Sequence, residues 1–137
     1  MVRKEVVAAR LEKLREYLQT LRSIQKFDLQ RFKSDAFIHG TAERYLHLSI
    51  ECLLDIGNHV ISDRGYRKPD TYAEILEILS EEGVVSQDLC RKMAGMAAFR
   101  NVLVHDYLNL DREKVYQVLK EHIKHFEELA RVYADLL

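Results

Sequence analysis

Between residues 45 and 61 the chain is apolar around more than half the circumference of a helix: Tyr45, Leu46, Leu48, Ile50, Cys52, Leu53, Leu54, Ile56, Val60 and Ile61. A helix with so narrow a polar side cannot lie on a surface, so other helices have to wrap it. The polar strip that remains holds Arg44, His47, Glu51, Asp55 and Asn58, with His59 at its border. The pattern runs from about residue 34 to Asp63, where Gly65 and Pro69 supply stop signals. Such a central helix dictates a bundle.

The flanking segments supply the wrapping. Residues 3–26 carry Val7, Leu11, Leu14, Leu18 and Leu21 at alternating steps of four and three, a seam that packs on other helices. Its remaining faces hold Arg3, Lys4, Arg10, Lys13, Arg15 and Arg22 and read as a solvated surface, or as a surface for phosphate. Residues 27–33 read as a break, with Asp28 able to cap the next helical stretch. A short helix is predicted over 71–82, with Tyr72, Ile75, Leu76 and Leu79 on its apolar side, Asp70 or Thr71 as cap, and Gly83 as stop. Ser86 opens a fourth helix whose apolar stripe is Leu89, Met93, Met96, Ala97, Leu103 and Val104. Gly95 inside it costs about 1 kcal/mol against alanine, so close helix packing is the expected compensation. Asp111 caps a last helix that buries Val115, Leu119, Ile123, Phe126, Leu129, Ala130 and Tyr133. His122 and His125 on that helix read as ordinary boundary residues. No strand pattern or repeat occurs. The expectation is one all-α domain over 1–137: an antiparallel up-down bundle of four main helices plus one short helix.

Charge and cysteine usage narrow the function classes. The formal net charge of −1 produces no global basic field of the kind nucleic-acid binders carry. The charge is uneven, however: residues 1–34 hold nine Lys/Arg against four Asp/Glu. Cys52 and Cys90 sit in apolar helical contexts without CxxC or Cys/His pairing, which suits buried free thiols in a reducing compartment. With no signal-peptide run and no long apolar segment, a soluble cytoplasmic protein that does not engage membranes is expected.

The chemistry gathers in residues 99–107, FRNVLVHDY. Arg100 falls in the middle of the apolar stripe, and an unpaired guanidinium there would cost several kcal/mol. It therefore meets a partner or faces a cleft that takes an anion. On a continued helix His105 would point about 140° away from Arg100. The helix is accordingly expected to end near Val104, with the turn carrying His105 back toward Arg100. Guanidinium suits a phosphate oxygen pair, and imidazole exchanges protons near neutrality. Together they suffice for attack of an RNA 2′-hydroxyl on its own phosphodiester, with neither metal nor cofactor. One chain has one such histidine, and a two-fold dimer would supply the second. From spacing alone, a buried Arg–acid pair with a helix-capping histidine is the plainer reading.

Counting in fours along the central helix gives His39, Glu43, His47, Glu51, Asp55 and His59, superficially a metal ladder. An i+4 row drifts about 40° per step, so the six cannot share one face. The Glu-x-x-His partner motif of di-metal bundles is also missing. No metal site is expected; a polar strip beside a cleft or interface is.

The string Arg100-Asn101-Val102-Leu103-Val104-His105-Asp106-Tyr107 resembles the Arg-x4-His-x-Tyr motif of the HepT-like toxins, in the HEPN (higher eukaryotes and prokaryotes nucleotide-binding) superfamily. The central helix with Glu51, Asp55, Asn58 and His59 resembles that family too, as do chain length and helix order. The resemblance implies a HEPN-like homodimer whose paired motifs form a metal-independent endoribonuclease site. It implies the toxin of a type VII-like toxin–antitoxin system. The partner would be an MNT-type nucleotidyltransferase antitoxin, assembling into a larger hetero-oligomer. In that family AMPylation of the motif tyrosine, here Tyr107, blocks the site. Under this resemblance Arg100 would hold the scissile phosphate, His105 would be base or acid, Asn101 would orient His105 or the phosphate, and Glu51 and Asp55 would pair with Arg100 or shape the cleft. The rival readings are a helical dimer that binds nucleotide or RNA without cutting it, and a structural subunit of a nucleotidyltransferase complex.

Overall fold

The computed structural model describes residues 4–137, apart from the side chain of Tyr107. The start of the first helix at Arg3 lies outside the described residues. Among those described, α-helix and short turns form the whole architecture, with no strand. The order is α1 (Lys4–Ile24), α2 (Leu29–Ser34), α3 (Ala36–Arg64), α4 (Ala73–Glu81), α5 (Gln87–Lys92), α6 (Met96–His105), a single 3-10 turn (Tyr107–Asn109), α7 (Arg112–Glu121) and α8 (Ile123–Asp135).

The 29-residue α3 is the hub, packing against α1, α2, α4, α6, α7 and α8. It buries Leu46, Ile50, Leu53, Ile56, Val60 and Ile61, as its near-continuous apolar surface requires. It stops where Gly65 turns left-handed at φ 68 and returns its N–H to the carbonyls of Ile61 and Ser62. α1 runs antiparallel to it: Arg10 meets Asp55 while Tyr17 meets Tyr45. α8 lies beside α1, tied by Arg22 to Glu127. Gly57 lets α4 and α8 close on α3. A Cβ there would stand 2.7 Å from both Ile75 Cγ2 and the Tyr133 hydroxyl.

The antiparallel up-down bundle is thus present, but two of its four main helices are jointed. Gly95 does not pack closely, since a Cβ there would meet nothing within 4 Å. It adopts φ 89, a left-handed conformation, and divides the expected fourth helix into α5 and α6. The last helix divides at His122, and most of the expected 27–33 break is the helix α2, capped by Asp28 through the Arg31 N–H at 2.8 Å. Ser86 and Asp111 cap α5 and α7 through Leu89 N–H at 3.1 Å and Glu113 N–H at 2.9 Å. Neither Asp70 nor Thr71 caps α4. Instead Glu74 reaches back to accept the Asp70 N–H at 2.8 Å, and Tyr72 occupies the cap position without a side-chain bond.

Candidate active site

The polar strip of α3 faces α6, and the two helices meet at a charged contact. Glu51 receives Arg100, with Nε 2.5 Å from Oε1 and Nη2 on the same oxygen. Arg100 Nη1 donates to Asn101 Oδ1 at 2.9 Å. The guanidinium carbon lies 5.4 Å from the Tyr72 ring centroid, within reach of a cation–π contact. On the other side of Glu51, His47 Nε2 stands at 3.4 Å, and His47 Nδ1 lies 3.4 Å from Arg44 Nη1. Arg44, His47, Glu51, Arg100 and Asn101 thus form one polar chain along the α3/α6 seam. The Arg100 side chain is 17% exposed, so most of the cation is shielded and needs the acid it meets. A guanidinium has five N–H groups, and among the described residues three are engaged here and two have no partner.

His105 is placed differently from the expectation. α6 runs through it as its last helical residue, instead of ending at Val104 and turning back. Five helical steps put it about 140° around the axis from Arg100. Its side chain is exposed and makes no hydrogen bond or ion pair among the described residues. Arg100 and His105 therefore do not converge within one chain. Asp106 closes the helix: its N–H reaches the Val102 carbonyl at 3.0 Å, and its Oδ1 accepts Asn109 Nδ2 at 2.9 Å. The backbone of Tyr107 opens the 3-10 turn next in the chain.

Asp55 does not join this cluster. One turn farther along α3, it is rotated toward α1 and pairs with Arg10, Nε to Oδ2 at 2.6 Å. The basic face of α1 is largely spoken for in the same way. Arg10, Lys13 and Arg22 are ion-paired within the chain, whereas Lys4 and Arg15 have no such partner among the described residues. Arg3, counted in that face, lies outside the described residues. Members of the apparent metal ladder also find local partners: His39 contacts Glu43 at 3.0 Å, and His47 contacts Glu51.

Tyr72 was expected in the core and is 52% exposed beside Arg100. Its spacing with Ile75 and Leu79 looks helical, but it precedes the helix proper. A tyrosine just after a Pro-Asp-Thr loop was the one available hint. Cys52 and Cys90 are free thiols, each pushed up chiefly by burial and then by a nearby carboxylate, Asp55 and Glu77 respectively. Raised thiols make poor nucleophiles, so neither competes for a catalytic role. Among the described residues no helix is long and apolar enough to cross a membrane.

Comparison with known proteins identifies the fold and the family. The chain is 34% identical to YutE of Bacillus subtilis over 96 residues, 68% of this chain and 67% of that protein. The solved structure of YutE, described as a cytosolic protein of unknown function, superposes with a TM-score of 0.88 at 26% identity, covering 99% of this chain and 91% of that one. The mRNA nuclease HepT of Shewanella oneidensis is 27% identical over 105 residues, 77% of this chain and 79% of its own. A tri-AMPylated HEPN toxin from Shewanella oneidensis, solved in complex with its MNT antitoxin, has the same fold. Its TM-score is 0.87 at 21% identity, covering 97% of this chain and 99% of that one. The sequence model of the Ribonuclease HepT-like family matches residues 11–133, and the chain belongs to that family.

Proposed function

We propose that this chain is the ribonuclease toxin of a toxin–antitoxin pair and that it cuts RNA at a cleft shared by two copies. One observation carries the reading. Arg100 is held at the α3/α6 seam with two N–H groups to spare, while His105 projects bare from the far side of the same helix. A second copy is the simplest way to bring an imidazole opposite a guanidinium. Arg100 then binds the scissile phosphate and Asn101 holds Arg100 in place. His105 of one copy takes the proton from the 2′-hydroxyl as O2′ bonds to phosphorus. The bond from phosphorus to O5′ breaks, and the second copy's His105 returns a proton to that oxygen. The products are a 2′,3′-cyclic phosphate and a free 5′-hydroxyl, and no step calls for a metal ion.

The relatives support the same reading: one is named an mRNA nuclease, and one solved neighbour is an AMPylated toxin bound to an MNT antitoxin. A nucleotidyltransferase antitoxin of that type adds AMP to Tyr107 in this reading. The added phosphate places negative charge next to the turn that ends α6, where RNA phosphate has to arrive. A second reading, a dimer that binds RNA without cutting it, draws on one observation. Glu51 already neutralises Arg100 and lowers its pull on an incoming phosphate.

Purified protein incubated with total RNA in EDTA separates the two. Cleavage yielding cyclic-phosphate ends is expected, and RNA retention with no new ends would overturn the nuclease reading. Intact mass after co-expression with the transferase is expected to rise by whole adenylyl units, and a Tyr107→Phe variant is expected to show no gain.

A further inference from the structure

Tyr72 belongs to two features at once. One is the Arg100 cluster, through the cation–π contact. The other is a cleft of about 270 Å³ between α3 and the loop before α4, lined by Asn58, Lys68, Pro69, Asp70, Thr71 and Tyr72 with Ile75 beneath. Asn58 stands two helical turns from Glu51, on the same polar strip of α3. Its amide is exposed and makes no hydrogen bond among the described residues.

The three cations of this loop have different fates. Arg64 reaches the Tyr66 hydroxyl at 3.5 Å, and Arg67 forks onto Glu81 with contacts of 3.2 and 2.9 Å. Lys68, which lines the cleft, has no partner among the described residues. The cleft therefore combines a half-exposed aromatic ring, an uncommitted amide, a carboxylate and an uncommitted ammonium, beside a guanidinium with N–H groups to spare. Stacking face, edge-reading polar groups and phosphate cation are the three elements by which proteins hold an unpaired nucleotide.

We propose that this cleft is a nucleobase subsite for the RNA nucleotide next to the phosphate on Arg100. Tyr72 stacks the base, Asn58 and Asp70 hydrogen-bond its edge, and Lys68 meets the adjoining phosphate. The assignment rests on the ribonuclease reading and adds the part of the protein that chooses where RNA is cut.

The test measures binding and cutting separately on the full chain. The binding probe is a short fluorescent single-stranded oligonucleotide with 2′-O-methyl groups, which lacks the attacking hydroxyl. Tyr72→Ala is expected to weaken its binding roughly tenfold or more, the scale of one lost stack, whereas Tyr72→Phe stays within about twofold. Lys68→Ala is expected to lower the salt slope of log K by about 0.7, the value of one phosphate contact on a single strand. Asn58→Ala is expected to broaden the bases found beside the cut. Because Tyr72 also touches Arg100, its variant alone is ambiguous. If Tyr72→Ala binds normally, or if Asn58→Ala and Lys68→Ala leave base choice and salt slope unchanged, the subsite is overturned. Unaltered protein that cuts RNA alongside those null variants loses the subsite and keeps the nuclease. Unaltered protein whose binding depends on both Tyr72 and Lys68 but which never cuts loses the nuclease and keeps the subsite.

Discussion

Glu51 receives Arg100 at one corner of its carboxylate, with Nε and Nη2 converging on Oε1. A fork-to-fork pair would engage both oxygens and leave the guanidinium edge closed. Here the carboxylate holds the cation from one corner, which fixes its position while leaving N–H groups for a second anion. Glu51→Ala is expected to leave Arg100, only 17% exposed, without its acid and to cost about 1–3 kcal/mol. RNA cleavage is expected to fall more than stability does. Parallel urea titrations and cleavage assays check this, and unchanged cleavage with lowered stability would reduce Glu51 to a structural role.

Arg100→Ala and His105→Ala are each expected to lower cleavage by about a hundredfold or more. Their stability effects should differ. His105 is exposed and unpaired among the described residues, so its loss should change unfolding free energy by less than about 0.5 kcal/mol. Mixing the two variants rebuilds one cleft with one arginine and one histidine. That cleft lacks the second imidazole that returns the proton, so recovery is expected to reach only a small fraction of unaltered cleavage, and recovery to the unaltered rate would overturn the two-histidine mechanism.

Gly95 and Gly57 should fail for opposite reasons when replaced by alanine. Gly95→Ala meets open space but forces a side chain into φ 89, at a cost of about 1–2 kcal/mol. Gly57→Ala keeps ordinary helical geometry and drives its Cβ into Ile75 and Tyr133, an overpacking cost of about 1–3 kcal/mol. Shortening Tyr133 to Phe should rescue part of the second loss and none of the first. Denaturant midpoints of the singles and doubles provide the measurement.

His122 and His125 approach Nδ1 to Nδ1 at 3.1 Å across the α7/α8 joint. Burial chiefly lowers both below the ordinary 6.5, helped for His122 by His125 and for His125 by Lys124. The folded state therefore binds fewer protons than the unfolded state in mildly acidic solution. The stability these groups contribute is fully present above about pH 6.5 and declines as pH falls toward their folded values. Denaturant midpoints are expected to drop between pH 7 and pH 5, and His122→Gln with His125→Gln should flatten that slope.

What the residues announced in advance was the scaffold. α3 was readable because its apolar residues leave only a strip uncovered, and Asp28, Ser86 and Asp111 were readable as caps because short polar side chains at helix starts have few other uses. Arg100 was readable as a problem, being a charge in an apolar stripe, and Glu51 as one of two acids able to answer it. The choice between Glu51 and Asp55 was hidden, since it depends on which neighbour each turn of α3 faces: α6 for one, α1 for the other. Gly95 was misjudged because periodicity cannot distinguish a glycine kept for space from one kept for its φ. The joint at His122 carries no glycine or proline to betray it, and Tyr72 shares its helical spacing with true core residues while standing outside them.

α6 points its guanidinium inward and its imidazole outward. On the proposed reading, a newly made copy is harmless until it finds another, because neither half of the catalytic equipment works alone. Potency should then climb with roughly the square of protein abundance while copies are scarce. A cell holding a trickle of this chain would be spared, and a modest burst of synthesis would cross into growth arrest without any change in the molecule itself.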